Sequence, residues 1–212
     1  MVKLYIVRHG QSVANVNNVF LGQTDMDLTE LGFEQARLTA NYLKDIPVDK
    51  IYSSDLIRAY HTAEQTAKLL DMPIIVDKGL REIDGGLWEG LPFTELWEKY
   101  YDSMVTFTTD IGVSKVDGGE SVEELYYRFN GTVEKIAKEN DGKTLFIFSH
   151  AGCLRCFATL CMGKEVKDMK DVPWPNNASV TEVEYDNGKF KLIKYGYDEF
   201  MGQKKSGLPK GY

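Results

Sequence analysis

Two apolar tetrapeptides constrain the architecture more than any other feature of this sequence. Leu4-Tyr5-Ile6-Val7 and Leu145-Phe146-Ile147-Phe148 are continuous rather than alternating, rich in β-formers and too short for helices. Strands of that kind are buried on both faces, which points to a mainly parallel sheet covered by helices on each side. The intervening sequence supplies the cover. Phe33, Ala36, Ala40 and Leu43 fall at helical spacing after the possible cap Thr29, and Leu56, Ala59, Ala63, Ala67 and Leu70 do so after Asp55. A third helix starts at Ser121, where Glu124 completes a capping box and Val122, Leu125, Phe129, Val133 and Ile136 form one stripe. Val48 to Ser53 and Ile74 to Val76 read as further short strands. Ser179 to Tyr185 and Lys189 to Tyr195 alternate around Asp186-Asn187-Gly188, a hairpin signal that predicts an antiparallel edge. The expected fold is α/β, a three-layer α/β/α sandwich with a mainly parallel, mixed central sheet.

No repeat, low-complexity block or long Pro/Gly/Ser linker divides the chain, so residues 1–212 read as one domain with a tail extending from it at about 201. Tyr101 to Asp117, polar and threonine-rich, takes no assignment. Against 25 Lys and Arg stand 32 Asp and Glu, a formal charge of −7, which argues against a nucleic-acid partner. Cys153, Cys156 and Cys161 are odd in number and crowded together, unlike a disulfide framework. The apolar run before Arg8 is too short for a signal peptide, and nowhere do about 18 apolar residues run together. A cytoplasmic protein with no membrane partner is expected; oligomeric state is open.

Each tetrapeptide is closed by a histidine, as Arg8-His9-Gly10 and Ser149-His150-Ala151-Gly152, in a chain with three histidines. Ligands of open α/β sheets sit outside the carboxyl ends of parallel strands, so His9 and His150 should face one crevice. Gly10, Ala151 and Gly152 would let backbone N–H groups approach a ligand there. An arginine beside a histidine suits an anion, since guanidinium matches phosphate oxygens while imidazole attacks phosphorus or moves a proton. Taken alone, Arg8 could equally be a surface charge and His9 a turn residue.

The tripeptide has company. Arg8-His9-Gly10-Gln11-Ser12 with Asn15, Gly22-Gln23-Thr24-Asp25, Ser53-Ser54-Asp55-Leu56-Ile57-Arg58-Ala59, Leu80-Arg81-Glu82 before Gly86-Leu87-Trp88-Glu89-Gly90, and Ser149-His150-Ala151-Gly152 follow in one order. That series, over about residues 3 to 195, closely resembles branch 1 of the histidine phosphatase superfamily, which includes cofactor-dependent phosphoglycerate mutases and many small phosphatases. The resemblance implies a phosphoglycerate mutase-like fold and makes His9 the nucleophile that becomes a phosphohistidine. It makes Arg8, Arg58 and His150 the clamp on the phosphoryl oxygens, and Glu82 the acid that protonates the leaving oxygen. Asn15, Gln23, Thr24 and Ala151 are the accompanying candidates for phosphate or substrate contact. Elementary chemistry agrees, because phosphoryl transfer needs positioning and cationic stabilisation, which these side chains supply without a metal or cofactor. Nearby arginines should also keep His9 neutral.

Other residues read as structural. His61 falls off the apolar stripe and suits a solvated helix face. Cys153 and Cys156 have redox-pair spacing but fit a buried helix better. Asp84 and Glu89 could join Glu82 around a metal, yet acidic loop residues are usually solvated. Trp88, Tyr100, Met104 and Phe107 fit a pocket wall or a core equally. Mutases follow the catalytic Glu with Arg and carry a longer insertion before the second histidine; here Ile83-Asp84-Gly85 follows Glu82. The expected function is a phosphomonoester phosphatase acting on a small phosphorylated metabolite. A phosphoglycerate mutase and a non-catalytic phospho-ligand-binding module are the alternatives.

Overall fold

The computed structural model describes residues 1–206. Its elements run β1 (Val2–Arg8), α1 (Val13–Asn17), α2 (Glu30–Leu43), β2 (Lys50–Ser53), α3 (Ile57–Leu70), β3 (Ile74–Val76), α4 (Phe93–Lys99) and α5 (Tyr101–Thr109). They continue through α6 (Val122–Lys138), β4 (Thr144–Ser149), α7 (Ala151–Cys161), β5 (Val180–Asp186) and β6 (Lys189–Tyr197), with short 3-10 turns between. The six strands form one sheet in the order β3-β2-β4-β1-β5-β6. The first four are parallel, and β5 and β6 complete it antiparallel. This is the mixed α/β architecture expected.

Alternation along the two central strands explains why they are apolar throughout. Leu4, Ile6, Leu145 and Ile147 share one core with Leu125, Phe129 and Val133 of α6 and Phe157 of α7. Tyr5, Val7, Phe146 and Phe148 point to the opposite core, with Leu43 of α2 and Ala63 and Ala67 of α3. Removing either face from water is worth roughly 25 cal/mol per Å2 of apolar surface, so every position in these strands must be apolar. The chain leaves β1 towards the α2–α3 layer and leaves β4 towards the α6–α7 layer. That divergence opens a crevice at the carboxyl ends of β1 and β4, where Arg8 lies opposite Ser149.

Local chemistry sets most boundaries. The Thr29 hydroxyl accepts the Gly32 N–H at the start of α2, and Ser121 and Glu124 form the predicted capping box of α6. The hairpin turns at Asn187 and Gly188, both with positive φ (48° and 78°), which is why Asn-Gly stands there. Two expectations are corrected, and one unassigned stretch takes form. Asp55 does not cap α3; its carboxylate is paired with Arg81, and Asp25 from the first loop accepts the Ile57 N–H instead. The unassigned stretch Tyr101 to Asp117 begins with α5, whose Met104 and Phe107 bury one face against the larger core. The chain also does not leave the body at 201: Met201 is buried, Gln35 donates to the Lys204 carbonyl and the Ser206 hydroxyl, and Lys204 pairs with Glu34. The remainder of the expected tail, 207–212, lies outside the described residues. No helix of the described residues is long and apolar enough to cross a membrane.

Candidate active site

Strand ends and helix starts deliver the site. His9 follows β1 and His150 follows β4; their rings are 5.3 Å apart, centroid to centroid, and nearly inaccessible. Arg8 is the last residue of β1, and Arg58 lies in the first turn of α3. All four side chains are at most 5% exposed. A buried cluster with two guanidinium groups is costly unless an anion or fixed acceptors compensate it. The fixed acceptors are carbonyls: Arg8 donates to Pro175 O (2.6 Å), and Arg58 to Gly22 O (2.6 Å) and Thr24 O (3.0 Å).

The state of His9 follows from one contact. Its Nδ1 lies 2.7 Å from the Gly10 carbonyl, which can only accept, so Nδ1 carries the hydrogen and Nε2 holds the lone pair. Burial, reinforced by the charges of Arg58 and Arg8, pushes the imidazole well below its usual pKa and outweighs the Gly10 hydrogen bond. Burial is thus the larger cause, and the arginines, expected from the sequence to keep His9 neutral, add to it. His150 is held neutral in the same way, by burial first and then by Arg58, His9, Arg128 and Arg8. Its Nε2 meets the Ser54 hydroxyl at 2.9 Å, and that hydroxyl also accepts the Leu56 N–H. Among the described residues its buried Nδ1 has no hydrogen-bond partner.

Glu82 reaches the same crevice from the segment after β3. One carboxylate oxygen accepts the Gly152 N–H and the other accepts the Ile83 N–H, each at 3.0 Å. Gly152 is required for this approach, since a Cβ there would stand 2.5 Å from Glu82 Oε1. The N-terminal turn of α7 thus holds the acid beside His150. Ala151 is the first residue of that helix and is buried.

The accompanying candidates divide. Gln23 bridges the site's frame, donating to the Glu82 carbonyl and accepting from Arg81. Thr24 contributes its backbone: its carbonyl holds Arg58 and its N–H meets Glu89. The Asn15 side-chain oxygen already accepts from Ser12 N and Asn177 Nδ2, so its position supports α1 and the backbone behind His9.

Two further residues position the site: Glu89, weighed from the sequence as a metal ligand or a solvated acid, and Arg128, which sequence reasoning missed. Glu89 accepts four backbone N–H groups, from Gly22, Gln23, Thr24 and Gly85, at 2.5 to 3.2 Å. It therefore fixes the loop whose carbonyls hold Arg58, and its oxygens are engaged in that task rather than disposed with Asp84 and Glu82 around an ion. Asp84 is exposed and accepts the Gly86 N–H. Arg128, on α6, pairs with Glu120 and donates to the carbonyls of Gly79, Arg81 and Glu82, fixing the backbone that carries the acid. An arginine at the edge of an otherwise apolar helix stripe was the available signal for it.

His61 is not simply solvated: its Nδ1 meets Asp27 at 2.7 Å, tying α3 to the first loop outside the cluster. Cys153 and Cys156 are buried with thiols pushed up in pKa, chiefly by burial and then by Glu82, and they face different partners, the Arg81 carbonyl and the Met169 sulfur. Trp88 and Met104 are fully buried, Tyr100 packs beside them, and Phe107 lines a slot next to Glu82.

Comparison with known proteins places this geometry among relatives. Residues 4–198 match the model of the histidine phosphatase superfamily (branch 1). Phosphoserine phosphatase 1 of Hydrogenobacter thermophilus is 30% identical over 206 residues, 96% of each chain. A "Probable phosphoglycerate mutase" of Shigella boydii is 31% identical over 188 residues, covering 87% of this chain and 86% of that one. The structure of a mycobacterial glucosyl-3-phosphoglycerate phosphatase complexed with VO3 superposes with a TM-score of 0.85 at 26% identity, covering 92% of this chain and 99% of that one.

Proposed function

The chain belongs to branch 1 of the histidine phosphatase superfamily, and from that premise we propose that it is a phosphomonoester hydrolase for small phosphorylated metabolites, working through a phosphohistidine on His9. The observation that carries this reading is the His9 ring itself: Nδ1 is tied to Gly10 O, and a neutral imidazole with a free Nε2 lone pair sits between two buried arginines. A lone pair held in a cationic pocket is what attack on a phosphoryl dianion needs.

In the first step Nε2 attacks phosphorus, a P–N bond forms and the P–O bond to the leaving group breaks. Arg8, Arg58 and His150 offset charge on the equatorial oxygens, the last through Nδ1–H when Ser54 donates to Nε2. Glu82, as the acid, gives its proton to the departing oxygen, since an alkoxide is a poor leaving group. In the second step Glu82, now a carboxylate, takes a proton from water as that water attacks phosphorus. The P–N bond breaks, inorganic phosphate departs and neutral His9 is restored. Gln23, Thr24 and Ala151 belong to the frame of the phosphoryl site and Asn15 to the support behind it. No step calls for a metal, so a chelator should leave the rate unchanged.

The same reading takes the whole chain as one domain, acting in the cytoplasm on small phosphorylated substrates rather than on nucleic acid. Hydrolysis is favoured over mutase chemistry because Ile83 and Asp84, not basic residues, follow Glu82. The test is release of phosphate from p-nitrophenyl phosphate by wild type, His9→Ala and EDTA-treated enzyme. Activity lost only in His9→Ala supports the reading; wild-type activity in His9→Ala, or loss with EDTA, overturns it.

A further inference from the structure

Beside Glu82 the structure has a narrow slot of about 30 Å3 that no arginine lines. Of the eleven residues that line it, Glu82 is the one with a charge, and the others are apolar side chains and Gly152. Besides Glu82, Ile83 and Gly152, the walls come from four separate segments: Phe20 and Leu21 of the first loop, Phe107 and Ile111 around the end of α5, Val122 and Leu125 of α6, and Met169 with Trp174. Leu21 and Trp174 are partly exposed and form its mouth; the deeper walls are buried. The interior cation Arg155 is not in the lining. Its guanidinium lies over the Trp174 ring, 4.1 Å from the centroid, and donates to the carbonyls of Met169 and Val172. Lys170, on the same segment, points outward to Asp110.

The acid must face the leaving oxygen, so the space beyond Glu82 is where the leaving group goes. A carboxylate on that group would enter an apolar slot beside the Glu82 carboxyl group, with no cation among the described lining residues. It would be stripped of water without a partner, which is among the most costly arrangements in a protein. We infer that this enzyme selects phosphomonoesters whose leaving group is short, apolar and uncharged, and rejects those that carry a carboxylate. This rests on the phosphatase reading above and narrows it to a substrate class unlike that in the phosphoserine and phosphoglycerate names of its relatives. The volume adds a size limit: about 30 Å3 is room for one or two waters, so Leu21 and Trp174 must give way even for a short alkyl chain.

A matched pair tests it. n-Butyl phosphate and the phosphate ester of 4-hydroxybutanoate share a four-carbon chain and differ in a terminal carboxylate. The expected result is kcat/KM at least about 100-fold higher for the butyl ester, and a ratio narrowed at least tenfold in Leu21→Arg, which places a cation at the partly exposed mouth without disturbing the core. Equal rates, or a faster carboxylated ester, overturn the inference while leaving His9-dependent hydrolysis intact. An unchanged ratio in Leu21→Arg overturns the assignment of selectivity to this slot. Absence of all hydrolysis, p-nitrophenyl phosphate included, would instead sink the phosphatase reading and this inference with it.

Discussion

The two sides of Glu82 are built on opposite principles. On one side Arg8, His9, Arg58 and His150 crowd into a buried cluster; on the other, side chains without charge close a narrow slot. The charged side stands on strand ends and a helix start, elements that cannot shift without disturbing the sheet. The apolar side is assembled from loops and short helices that the sheet does not dictate. One half of the site is fixed by the fold and the other can vary while the fold stays the same. An acidic protein handling a phosphate dianion depends on that division, because its overall field repels substrate and attraction must come from a few local cations.

The comparison can be broken most severely at His9. His9→Ala removes the proposed nucleophile, and phosphatase turnover should fall by at least about 10^4-fold for every ester, whatever its leaving group. Glu82→Gln should separate the two sides. With n-butyl phosphate kcat should fall about 10^2- to 10^4-fold, but much less with p-nitrophenyl phosphate, whose leaving group departs without a proton. An equal loss on both esters would mean that Glu82 is not the acid.

Glu89→Ala sharpens the contrast between rigid and loop-held groups. The first loop loses three N–H contacts and Gly85 a fourth, Arg58 loses its fixed carbonyls, and inhibition by vanadate should weaken along with a drop in kcat/KM of about 10^2-fold. If Glu89 serves only general stability, thermal unfolding will move while vanadate affinity does not. The smallest effect is on stability. His9 and His150 are neutral and depressed in pKa when folded, whereas the unfolded chain takes up protons near pH 6.5. The unfolded state therefore binds more protons as pH falls below about 6.5, and stability should decline through that window. Urea unfolding at pH 7 and pH 5.5 should show a larger loss for wild type than for His150→Gln.

Legibility in the sequence followed the same division. The strands, their parallel order and both histidines were readable because each apolar run ends in a short local motif, and the α6 cap because Ser121 and Glu124 are three residues apart. The roles of Glu89 and Arg128 were not, since their partners are backbone groups distant in sequence: Arg128 showed only as a charge at the edge of an apolar stripe, and nothing in a glutamate announces four waiting N–H groups. Asp55 was misplaced for a related reason: an acidic residue before a helix is a sound cap signal until a distant Arg81 competes for it. The slot was only half visible. Phe107 was a candidate wall, but Phe20, Leu125 and Trp174 meet it only through the tertiary fold.

The central claim is that His9 carries the phosphoryl group. Rapid quench of the enzyme with a 32P-labelled phosphomonoester, followed by peptide mapping, tests it most directly. The account predicts label within the first turnover, acid-labile and base-stable, on the peptide containing His9 and absent from His9→Ala. Label on any other residue, or first-turnover release of phosphate with no labelled protein at any quench time, would contradict it.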